Sequence, residues 1–113
     1  MENINTLLEK YNNFKFAQLR TIKQLPDSSA TVTLVTEDDD GEEMNTINIK
    51  FINITDSHIL IDSVLPFLDM MSGISIIKEH NFYGFAVGQC NAMTNINNSP
   101  LYIVSSDITI EEN

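Results

Sequence analysis

Tryptophan is absent from the 113-residue chain, cysteine occurs once, and glycine and proline number only four and three. The lone Cys90 has no partner for an internal disulfide, so stability has to come from a hydrophobic core, and a single thiol suits a reducing compartment. The glycines, at positions 41, 73, 84 and 88, match neither glycine-rich phosphate loop. Paired carboxylates for glycoside chemistry would need an apolar pocket with aromatics, and nothing in the sequence supplies one. Long apolar runs are missing too. The nearest approach, "HILIDSVLPFLDMM", is interrupted by Asp62, Pro66 and Asp69, so no membrane-spanning helix is expected. The opening "MENINTLLEKYNNF" has neither a basic n-region nor an apolar h-region. No secretory signal is therefore expected, and the expected location is the cytoplasm.

Positive charge is the scarcest commodity. Six Lys and Arg face sixteen Asp and Glu, a net of −10. Residues 1–36 hold four basic and three acidic residues, a net of +1, whereas residues 37–113 hold two basic and thirteen acidic, a net of −11. Such a field repels nucleic acid and anionic membrane and favours encounter with a basic protein. Solubility alone would account for the same balance.

What is present describes one folded domain over residues 1–113, with 42% apolar residues. Ile4, Leu7, Leu8 and Tyr11 recur at helical spacing and predict a helix over residues 3–13, ended by Asn12-Asn13. Phe14 to Leu25 predicts an irregular strand with a bulge near residue 17. "SATVTLVT" (29–36) and "NTINIKFIN" (45–53) alternate cleanly, predicting an antiparallel hairpin with Ala30, Val32, Leu34, Ile47, Ile49 and Phe51 on the core side. "SHILIDS" predicts a further short strand, and Val64, Leu65, Leu68 and Met71 a helix near 63–71 stopped by Gly73. A hairpin about His80-Asn81, a polar loop "NAMTNINNSP" and a last strand from Leu101 complete the reading. The expected fold is α+β: a mainly antiparallel, curled sheet of about six strands with one or two short helices.

The tip of the predicted hairpin is "EDDDGEE", residues 37–43, six carboxylates around Gly41. As a calcium loop with its glycine at position 6, it would place Thr36 at position 1 and Ile47 at position 12, where a carboxylate and a bidentate Glu are required. No metal is expected. Two readings of the stretch stay open: a solvated turn that blocks edge pairing, and a docking loop for a basic partner. For catalysis, Cys90 with His58 or His80 offers a nucleophile–base combination; the alternative is a small buried thiol and two turn or packing histidines. Met70 and Met71 with Phe67 and Leu68 read more readily as core filler than as a sticky surface.

The segments "FKFAQLRTIKQL" and "SATVTLVTEDDDGEEMNTINIKFINIT" share a further pattern. Phe14, Ala17, Leu19 and Ile22 open it, Val32 and Leu34 follow, Gly41 sits in an acidic turn, and Ile47, Ile49 and Phe51 close it. Over residues 14–55 the chain resembles small bacterial proteins, many of them immunity proteins of polymorphic or contact-dependent growth-inhibition toxin systems. The matched positions are structural rather than catalytic. The resemblance implies a small, acidic, cytoplasmic protein without catalytic groups or cofactors. Such a protein neutralises a basic, often nuclease, toxin domain by covering its active site or a flanking surface. The expectation is thus an immunity protein, not an enzyme, with Glu37, Asp38, Asp39, Asp40, Glu42 and Glu43 as docking groups for a cognate toxin domain. The alternatives are a ligand-binding domain or enzyme with a pocket near Cys90, His58 or His80, and an adaptor that forms homo-oligomers through an exposed sheet edge.

Overall fold

The computed structural model describes residues 4–37, 42–90 and 92–112, with Glu43 and Met44 through their backbone only. In chain order the elements are α1 (Ile4–Lys10), β1 (Gln18–Leu25), β2 (Ser29–Glu37), β3 (Glu43–His58), β4 (Ile74–Glu79), β5 (Phe82–Val87), α2 (Met93–Ile96) and β6 (Tyr102–Glu112). The six strands form one sheet in the order β1-β2-β3-β6-β5-β4, and every neighbouring pair is antiparallel. It is two three-stranded meanders joined along β3 and β6, open at the β1 and β4 edges. The α+β class follows from the sequence as expected.

Alternation sets the two faces. Val32 pairs with Ile49 and Ile49 with Ile110, while Ala30 pairs with Phe51 and Phe51 with Ile108. These side chains lie on the core face, where Val32, Ile49 and Phe51 are fully buried and the Phe51 ring meets Phe85 at 5.3 Å. Leu7 of α1, Phe14, Leu65 and Met70 close the core from the other side. On the opposite face the register brings Thr31, Lys50 and Thr109 together, and Thr33 with Asn48 and Glu111. Thr33 Oγ1 donates to Asn48 Oδ1 across the strands at 2.7 Å. This part of the face is polar and half-buried to exposed, as alternation demands, while Val35 on the same face is buried.

Four local expectations need correction. Of the strand signal at "SHILIDS" only Ser57 and His58 are strand, as the end of β3, which absorbs a register shift between Ile54 and Asp56; residues 59–63 have left the sheet. Asn53, at φ 57, supplies the left-handed residue before that irregularity. Within 63–71 helix is limited to one 3-10 turn over Leu65–Phe67, because Leu68 is extended and the Asp69 carboxylate turns back to accept from Met71 N–H. The second short α-helix lies instead in the polar loop, as α2. Its Ile96 is buried against the bare Cα of Gly84 in β5, where a Cβ would stand 3.0 Å from Ile96 Cγ1. Finally, residues 14–16 are not strand. Asn12, Asn13 and Phe14 take φ values of 53, 56 and 58, a left-handed turn, and β1 begins at Gln18, with its register shift between Leu19 and Thr21.

Gly73 shows why the chain can fold over that turn. Its φ is +71, and an added Cβ would fall 1.9 Å from the Asn13 carbonyl oxygen, a space only glycine fits. No helix among the described residues is long and apolar enough to cross a membrane.

Candidate protein-binding surface

β2 and β3 remain paired as far as Glu37 and Glu43, so residues 38–42 connect them and the acidic stretch occupies a hairpin connection. Glu37 and Glu42 are exposed. Asp38, Asp39, Asp40 and the side chain of Glu43 lie outside the described residues. A register shift between Thr36 and Glu37 marks the end of the regular ladder.

Toward the connection end of this hairpin, where Glu112 pairs with Ile47, α1 is tied to the end of β6. Lys10 Nζ donates to Glu112 Oε2 at 2.8 Å, Tyr11 OH donates to the same oxygen at 2.7 Å, and the Tyr11 ring stacks on Phe14 at 5.1 Å. The Lys10 and Tyr11 hydrogen bonds hold the Glu112 carboxyl below its ordinary range, and the Glu112 hydrogen bond raises Lys10 in turn. A shallow groove of about 300 Å³ runs from Lys10, Tyr11 and Lys15 past Phe16 to Thr36 and Glu37.

Phe16 also borders a second groove, of about 240 Å³, lined by Leu65, Pro66, Leu68, Asp69 and Met71 among others. Its geometry departs most from the sequence reading. The backbone of Phe16 is left-handed at φ 64, its N–H donates to the Met70 carbonyl at 2.9 Å, and its ring is 73% exposed. Met70 is buried, whereas neighbouring Met71 is 65% and Phe67 86% exposed. The pair is thus divided: Met70 fills the core and Met71 faces outward. Ile61 and Val64 extend the exposed apolar character of the same segment. The left-handed turn at "NNF" was signalled only by the two asparagines, which tolerate positive φ better than other residues. Nothing in the spacing marked Phe16 as outward.

The residues considered for catalysis do not converge. His80 sits exposed in the β4–β5 turn, at one end of β5, and Cys90 lies beyond the other end. His58 ends β3, opposite Tyr102 of β6. Cys90 lines two shallow grooves, with Leu8, Ser75 and Gln89 in one and Asn95, Asn98 and Ser99 in the other, and neither holds a histidine. Its thiol faces the Asn95 carbonyl at 3.7 Å, and its N–H donates to Ser75 Oγ at 2.9 Å. Among the described residues no three His, Cys, Asp or Glu side chains gather as a metal site.

At the β1 edge, Asp62 Oδ1 accepts the Ile22 N–H at 3.1 Å, so a side chain occupies a position where a foreign strand would bond. Comparison with protein families, curated proteins and solved structures gives no match to this chain.

Proposed function

We propose that this chain is a non-catalytic binding protein that docks a basic protein domain, in the manner of an immunity protein neutralising its toxin. The observation that carries the reading is the charge. Sixteen carboxylates meet six Lys and Arg, so even complete one-to-one pairing leaves ten of them without a cation. The excess belongs to the chain after residue 36, beginning with the hairpin connection. Glu37 and Glu42 are exposed on either side of the connection, and exposed carboxylates gain most from a partner that brings its own cations. In this reading Glu37, Asp38, Asp39, Asp40, Glu42 and Glu43 steer and orient the encounter and perform no chemistry. A curled sheet, bent by the irregularities at Leu19/Thr21 and Ile54/Asp56, is part of the same reading, since bulges bend the strands that carry them.

Co-expression tests it. The partner to use is the basic C-terminal domain of the protein encoded immediately upstream. That domain should arrest growth alone and be neutralised by this chain through a stable one-to-one complex. A neighbouring gene without such a domain, or a domain that this chain neither binds nor neutralises, would count decisively against the proposal.

A further inference from the structure

Exposed Phe16 and Met71 line one groove, and exposed Phe67 stands in the chain between two of its lining residues, Pro66 and Leu68, an apolar character that the acidic connection alone does not explain. We infer that this face is the anchor of the docking surface: the basic partner seats apolar side chains against Phe16, Phe67 and Met71, while its cations meet the surrounding carboxylates. The inference rests on the functional reading above and adds to it where the binding strength resides.

The face is built rather than incidental. A non-glycine residue in the left-handed region is strained by its own Cβ, and such strain persists only where the surroundings impose it. Here the Met70 carbonyl does so. It accepts from both Phe16 N–H at 2.9 Å and Gly73 N–H at 3.0 Å, locking the turn that throws the Phe16 ring outward. Phe67 ends the 3-10 turn Leu65–Phe67, in which Pro66 is the middle residue, and stands between two residues that line the groove. Aromatic and methionine side chains are enriched in protein–protein interfaces, Met because it repacks to fit its partner.

Charge selects the occupant. From Phe51 to Ile77 the sequence contains no Lys or Arg, while Asp56, Asp62 and Asp69 all lie in it. Asp69 lines the groove itself, and Asp62 and Asp69 are fixed by accepting from Ile22 and Met71. On the β1 side, Lys15 lines the adjoining groove, and the Arg20 guanidinium donates to Gln18 Oε1 at 2.6 Å. A second copy of this chain would bring −10 against −10, and anionic lipid or nucleic acid would meet the same repulsion. A cationic protein surface with apolar residues set among its Lys and Arg satisfies both the face and its rim. Phe16 borders both grooves, one reaching Glu37, so the anchor and the acidic connection belong to one continuous surface.

The test uses random 16-residue peptides displayed on phage, selected against the wild-type chain and re-assayed on two variants. One variant carries Phe16→Ser, Phe67→Ser and Met71→Ser; the other has its six acids at 37–43 replaced by Asn or Gln. Phe16, Phe67, Met71, Glu37 and Glu42 are exposed, and circular dichroism with a thermal melt verifies that both variants fold. Peptides combining Lys or Arg with apolar anchors are expected, losing roughly tenfold or more in affinity on the triple-Ser variant. Basic peptides that bind the triple-Ser variant as well as wild type would overturn the anchor while leaving the basic-partner reading intact. Selection without basic enrichment, or no selection at all, would overturn both. Sedimentation showing a wild-type dimer that the triple-Ser variant abolishes would assign the face to self-association and overturn the inference.

Discussion

At Phe16 the backbone and the side chain answer to different demands. Left-handed φ costs a non-glycine residue about 1–2 kcal/mol, whereas glycine there loses about 0.4–1 kcal/mol through its freer unfolded chain. With the ring largely solvent-exposed, Phe16→Gly is expected to leave folding unchanged or to stabilise it by up to about 1 kcal/mol, read from urea unfolding. The same variant is expected to weaken partner binding. Gain of stability with loss of binding is the signature of strain kept for function; a large loss of stability would show Phe16 to be structural. Gly73 behaves oppositely. Gly73→Ala meets both a positive φ and the Asn13 backbone oxygen, so a loss exceeding about 2 kcal/mol is expected. Gly88→Ala has φ +100 but open space around the added carbon, and should cost less. Equal losses at the two glycines would show that the close approach to Asn13 contributes nothing.

Elements whose residues obey one periodicity were readable in the sequence, and those depending on a tertiary partner were not. The β2–β3 hairpin carries a two-residue alternation on both strands and folds as that pattern demands. The continuation of β3 through Asn53 to His58 could not be read, because a bulge interrupts the alternation while β6 still supplies partners. Val64, Leu65, Leu68 and Met71 match helical spacing, yet Leu65 is buried and Val64 and Met71 are exposed; periodicity cannot tell a core stripe from an outward face. Ile96 looked isolated in a polar loop until Gly84 was seen to make room for it. Of the candidate site, the acidic hairpin connection was legible from composition, but the outward Phe16 was not, since its direction depends on the Met70 carbonyl. The tie between α1 and β6 is pH-dependent. Glu112 has a lowered pKa, so its contribution is complete above the ordinary value of 4.5 and disappears as pH falls through the folded value. Lys10 has a raised pKa, so its contribution is complete below 10.5 and is lost as pH climbs through the folded value. The pair is solvent-exposed and its effect small. An NMR titration should place Glu112 below 4.5, and Glu112→Gln should return Lys10 toward its ordinary value. An unperturbed Glu112 would show the contact to be absent in solution.

At the scale of the whole molecule, charge and topology act together. The open sheet leaves β1 as an edge, and Asp62 accepts the Ile22 N–H there while carrying a negative charge. Asp62→Asn keeps an acceptor and removes the charge, so it should leave the melting temperature near wild type and slow association. Asp62→Ala removes the acceptor as well and should cost about 1 kcal/mol of stability. If Asn and Ala destabilise alike, the carboxylate acts through its charge and not as a cap on the edge. The wider claim is that the molecule presents a negative field to a cationic partner and grips it at an apolar centre. The most direct test is the association rate with the upstream-encoded basic domain, followed by stopped flow between roughly 0.05 and 0.5 M salt, a span over which the screening length falls from about 14 to about 4 Å. The rate should fall steeply with salt for the wild-type chain, and the chain with residues 37–43 neutralised should associate at least about tenfold more slowly at low salt, with a flatter dependence. A wild-type rate indifferent to salt, or one that neutralising those six acids leaves unchanged, would contradict the account.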